Sequence, residues 1–119
     1  MNKFEALNAF WSSFGLTAYD DSAVPSNAQL PYLTYRNIDG DFTRPVQCDV
    51  SLWYYGTSLE PVTQKALEID AVLSNGGKLV GYTGGGFWIR KGSPFYQTMG
   101  DASNDMIRRG IIITEIEYI

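Results

Sequence analysis

Asp101, Ser103 and Asp105 place side-chain oxygens at alternate positions, which is how a calcium-binding loop begins. Such a loop needs glycine at its sixth position and glutamate at its twelfth, where this chain has Met106 and Ile112. The spacing fails, and a solvated loop is the reading that remains. Gly84-Gly85-Gly86 has the composition of a phosphate cradle, but that chemistry needs a helix N-terminus directly after the loop. Phe87-Trp88-Ile89-Arg90 follows instead, a strand pattern, so the glycines read as a hairpin turn. Histidine is absent, which removes the commonest general base and the commonest zinc ligand together. Cys48, the single cysteine, falls at an inward strand position without a base partner in sequence, so it reads as a small buried hydrophobe. The acidic pairs Asp20-Asp21 and Glu115/Glu117 show no sign of the apolar pocket that raises a carboxyl pKa for acid catalysis. No enzymatic activity, no metal site and no cofactor are expected.

The remaining residues with something to offer are aromatic. Residues 46–55 alternate strictly: Val46, Cys48, Val50, Leu52 and Tyr54 face one way, and Gln47, Asp49, Ser51, Trp53 and Tyr55 the other. Trp53 and Tyr55 therefore project from the side opposite the core. On the preceding strand, residues 31–38, Tyr32, Thr34 and Arg36 share a face. Large aromatics on a non-core sheet face mark an interface, unless a loop or helix of the same chain covers them. Both readings stand at this point.

The elements that position these groups can be read from period and punctuation. Phe4, Leu7, Phe10, Trp11 and Phe14 recur at helical spacing, so residues 2–14 read as an amphipathic helix ended by Gly15. Residues 19–29 are a polar loop rich in turn formers, and 39–45 are a hairpin loop holding Asp39 and Asp41. Ser58 is the expected N-cap of a second helix, whose stripe is Val62, Ala66, Ile69 and Leu73 and whose end is Asn75-Gly76-Gly77. Residues 78–82 and 87–91 are short strands, 92–105 look irregular, and 107–118 form a long last strand. In that strand Ile112, Thr114, Ile116 and Tyr118 share one face, while Glu115 and Glu117 on the other keep an edge or outer face from sticking indiscriminately. The expected fold is a single α+β domain over residues 1–119. Its mostly antiparallel sheet of about five strands carries two amphipathic helices on one face.

Bulk properties narrow the partners. The 119 residues are 45% hydrophobic and 14% aromatic, enough for one real core. The net charge of −4 and the scatter of nine basic residues disfavour a grip on nucleic acid or an anionic membrane. No apolar run is long enough to span a bilayer. Glu5 and a helical period stand where a signal peptide would have a plain apolar block, so cytoplasmic synthesis is expected.

Several weak features in order resemble a known pattern. They are the N-terminal helix and Pro-containing loop, then Leu-Pro-Tyr-Leu-Thr-Tyr at 30–35, then Val-Gln-Cys-Asp-Val-Ser-Leu-Trp-Tyr-Tyr at 46–55 entering a helix. The close, Asp-Met-Ile-Arg-Arg-Gly-Ile-Ile-Ile-Thr-Glu-Ile-Glu-Tyr at 105–118, completes them. The chain as a whole resembles the tail-completion or tail-terminator proteins of long non-contractile-tailed bacteriophages and prophages, also described as minor capsid or tail-component proteins. The resemblance implies a virion protein that forms a homo-oligomeric, usually hexameric, ring made in the bacterial host cytoplasm. Such a ring caps the tail tube, ends its polymerisation and meets the head connector. DNA passes through it without sequence-specific binding, and no membrane is involved. Another head-tail joining or minor capsid role is the nearest alternative, and a small ligand-binding domain is one of a different class.

In such a ring Trp53 and Tyr55 are candidate interface residues, as are Asp101, Asp105, Arg108 and Arg109. Arg108 and Arg109 must point to opposite faces of their strand, so they cannot both serve one patch of their own subunit. Either one reaches a neighbour's carboxylate, or Asp105 pairs with one of them inside the subunit.

Overall fold

A computed structural model describes residues 1–38, 46–101 and 104–119, with the backbone alone at Ile38, Gly100, Asp101, Asn104 and Asp105. Asn2 caps helix α1 (Lys3–Ser12). Its side chain accepts the Glu5 N–H at 2.9 Å, while Glu5 Oε1 accepts the Asn2 N–H at 3.0 Å. This reciprocal pair satisfies two of the donors that a helix start leaves bare. The Leu7, Phe10 and Trp11 stripe is buried, as its spacing predicts, whereas Phe4 stays out in solvent.

The first departure from expectation follows at once. Thr17–Asp20 form strand β1, which takes Tyr19 and Asp20 out of the expected polar loop. It pairs in parallel with β2 (Tyr32–Ile38), and Ala18, its one buried side chain, faces the core. Four residues with one inward side chain cannot display a strand period, so neighbouring strand and helix define it instead. From the helix side, Asn8 Nδ2 donates to the Ala18 carbonyl at 3.1 Å.

Strand β3 (Val46–Tyr55) has the bounds its alternation predicts, and Val46, Cys48, Val50 and Leu52 are buried. The hairpin loop 39–45, with Asp39 and Asp41, lies outside the described residues. Helix α2 (Glu60–Leu73) has Leu59, not Ser58, at its cap position, although the Ser58 hydroxyl accepts the Glu60 N–H at 3.0 Å. All four stripe residues of α2 are buried. Lys65 Nζ then ties α2 to the turn that follows α1, donating to the Phe14 carbonyl at 2.7 Å.

β4 (Lys78–Tyr82) and β5 (Gly85–Asp101) form the second hairpin. β5 is far longer than expected, because the segment 92–105 is not irregular up to Asp101. It stays paired to β6 (Asn104–Tyr118) through a bulge between Lys91 and Tyr96. Gly92-Ser93-Pro94 sit in that bulge and shift the alternation, which hides the strand from a period-two reading. β6 likewise begins three residues before the expected start at Ile107.

Among the described residues the sheet therefore has six strands in the order β1-β2-β3-β6-β5-β4, and it is mixed. The expectation of about five strands missed β1 and with it the one parallel pairing. One core cluster joins the helix stripes to Leu33, Val50, Leu52, Phe87, Ile89, Ile112 and Ile116, all of one sheet parity. Among the described residues no helix is long and apolar enough to cross a membrane.

Candidate functional site

The opposite parity of the sheet holds the candidate residues. Pairing register sets Tyr32 opposite Trp53, Trp53 opposite Arg109, and Arg109 opposite Met99, so one row crosses β2, β3, β6 and β5. Tyr19 of β1 extends it, packing edge-on against Tyr32 at 5.7 Å between ring centres. Tyr32 in turn stacks on Trp53 at 6.4 Å and 29°. The Trp53 indole N–H donates to Thr34 Oγ1 at 3.0 Å, which fixes the ring flat on the sheet.

Arg109 lies on that ring. Its guanidinium carbon is 4.5 Å from the Trp53 ring centre, a cation–π geometry. Nε and Nη2 donate to Ser51 Oγ at 3.1 and 2.9 Å, and Nη1 to Met99 Sδ at 3.6 Å. Thr34 and Ser51, in the next row, are buried beneath these side chains. Among the described residues neither a helix nor a loop lies over the row. Trp53 is half-covered, but by its own sheet neighbours, and Tyr55 at the end of β3 is 62% exposed.

Arg108 faces the other way, as alternation requires. It lines a surface hollow with Thr57, Leu59, Thr98 and Met99, and Nη2 donates to the Thr57 carbonyl at 3.4 Å. The side chains of Asp101 and Asp105 lie outside the described residues, so their expected pairing with these arginines is not placed. Arg109 has no carboxylate partner among the described residues. Glu115 and Glu117 are on the uncovered face, with Arg90 Nε 3.4 Å from Glu115 and Nη1 3.3 Å from Glu117. β6 is the fourth of the six strands, so those acids guard a face and not an edge.

The structure thus brings Trp53 and Arg109 together, leaves Tyr55 outside the row, and turns Arg108 away. Tyr19, Ser51 and Met99 are the members that sequence reasoning missed. Tyr19 and Met99 fell in segments read as loop or irregular, and Ser51 looked like one more outward polar residue. Aligning β3 antiparallel to β6 was the signal available, since both alternate over ten or more residues.

Cys48 sits on the other side of β3, in the core. Burial pushes its thiol pKa up from 9.0 to about 12, outweighing the lowering by Thr114 and Trp11. A neutral thiol in the fold and an ionisable one in the unfolded chain make stability pH-dependent. The contribution is intact below pH 9, where both states hold the proton, and is lost as pH climbs toward 12. The loss approaches about 1.4 kcal/mol per pH unit for this one proton. Urea melts of the wild type and Cys48→Ala over that range should diverge in slope, the variant falling less steeply. Parallel slopes would refute the assignment.

No protein-family model matches the chain, and no curated protein matches it either.

Proposed function

We propose that this protein is a structural virion subunit of a phage head–tail neck, a tail terminator that works by assembly and not by catalysis. What supports this reading is the row Tyr19-Tyr32-Trp53-Arg109-Met99, a face of the composition that interfaces favour, which no helix or loop among the described residues covers. The ordered sequence features at 30–35, 46–55 and 105–118 resemble those of the tail-terminator family, and the hexameric ring is what that resemblance implies. The ring caps the tail tube, meets the head connector, and lets DNA pass. A chain of net charge −4 suits a channel through which DNA must slide without being held.

The test is growth of tail tubes from their subunit protein with and without this chain. Electron microscopy should show rings of defined stoichiometry, and tubes of restricted length ending in them. Rings that leave tube growth untouched would move the role to head–tail joining. A monomer without effect on the tubes would overturn both.

A further inference from the structure

We infer that Arg109 takes a carboxylate from the outer stripe of α2 on a second copy of this chain, so that the uncovered sheet face of one subunit receives the helix of the next. This rests on the homo-oligomeric part of the proposed function and says which surfaces meet.

A guanidinium carries five N–H donors. Three are matched within the subunit, two by Ser51 and one by Met99, and none by an anion among the described residues. The group is nevertheless held, lying over Trp53 and fastened along one edge. Ordering a long side chain against its own sheet removes the entropy cost that weakens most surface arginine contacts. The unmatched donors of this planar group suit a carboxylate, which a guanidinium can bind through two parallel bonds.

The acidic partner surface is on the same molecule. On α2, Glu60, Gln64, Leu67, Glu68 and Ala71 are exposed and recur at helical spacing on the side away from the core. Leu67, 55% exposed, is an apolar knob flanked by carboxylates. The Glu60 carboxylate has no bond among the described residues, and Glu68 is bound only to Lys65 within its own helix. Size also agrees. The 14 residues of α2 are about 21 Å long, and four strand spacings, from β1 to β5, cover about 19 Å.

Copies of a chain with net charge −4 repel unless patches of opposite sign meet. The face and the stripe lie on opposite sides of the two-layer fold, so their contact is head-to-tail. Repeating such a contact closes a ring when the rotation allows. An aromatic row with an arginine would also suit stacked bases of single-stranded nucleic acid. Asp49, Glu115 and Glu117 share the face two or more rows along the strands from Arg109, so a helix laid across the strands at the Arg109 row clears them, whereas a polynucleotide running along the strands would bring its phosphates onto them.

Light scattering and native mass measurement test this on the intact chain. Arg109→Glu should leave the circular dichroism spectrum unchanged, lower melting modestly through the lost Ser51 and Trp53 contacts and the lost association, and weaken association by about a hundredfold, as loss of an interface anchor does. The pair Glu60→Arg with Glu68→Arg should do the same. Mixing the two charge-reversed proteins should restore the assembly, because every contact then pairs opposite signs again. Arg109→Gln serves the same purpose if the reversal fails to fold. An assembly that survives Arg109→Glu, stays whole on reversing the α2 acids, or is not restored by mixing overturns the inference. So does a monomeric wild type, or an Arg109-dependent grip on oligothymidylate with the assembly intact. Restored assemblies that fail to cap tubes would sink the terminator reading and leave this contact standing.

Discussion

Trp11→Ala is expected to destabilise the fold by about 3–5 kcal/mol, as truncation of a fully buried aromatic does. Domains of this size are stable by only about 5–15 kcal/mol, so the variant should sit near its unfolding midpoint in mild urea. Trp11 is completely buried and packs against two rings, Phe10 of the same helix at 4.9 Å and Phe14 just beyond it at 6.1 Å. Its indole N–H makes no hydrogen bond of proper geometry among the described residues, and the polar group whose ionisation it influences is the Cys48 thiol on β3. The ring thus works as an apolar wedge between α1 and the sheet. Trp11→Phe should cost far less, under about 2 kcal/mol, because it removes an unpartnered donor along with some area. Urea melts separate the outcomes. A loss below about 1 kcal/mol for alanine would mean that α1 is not part of the cooperative core.

Gly77→Ala is expected to cost about 3 kcal/mol or more, and Gly76→Ala only about 1–2. Both glycines have positive φ, +91° at Gly76 and +106° at Gly77, so alanine strains the backbone at either. Space separates them. A Cβ at Gly76 would meet nothing within 4 Å, whereas one at Gly77 would run into the Ile89 carbonyl oxygen and come within 3.1 Å of the Arg90 Cα. Those are backbone atoms of a paired strand and cannot rotate aside. The turn is held further by the Trp88 indole N–H, which donates to the Gly76 carbonyl at 2.7 Å. Equal costs at the two positions in thermal melts would show that conformational strain, and not the approach to β5, governs this turn.

The parts of the fold legible in the sequence are those in which one element carries its own signal. β3 alternates for ten residues, and the α2 stripe repeats over four turns, so both could be read with their faces assigned. β1 could not, since its identity comes from β2 and α1. Most of β5 could not, because the bulge before Tyr96 shifts its phase. The candidate site depends on a longer inference. Trp53 and Arg109 were each visible, but their contact joins positions 56 apart and needs the β3–β6 register. The contacts that Arg109 makes among the described residues are to Ser51, Trp53 and Met99, on strands that its chain neighbours do not indicate.

The place of β6 in the sheet has a consequence for biosynthesis. It is the last strand in chain order, yet it lies between β3 and β5 and is bonded to both. A nascent chain that has emerged through β5 therefore holds two separate half-sheets, β1-β2-β3 and β4-β5, with no strand to bridge them. Val50 and Leu52 lack the neighbour that completes their layer until Ile112 arrives. Pairings such as Val46 with Ile116 also span most of the chain, a topology that folds slowly. The ribosome must thus release nearly the whole domain before cooperative folding can start, and the exposed half-sheets are the species a chaperone would meet.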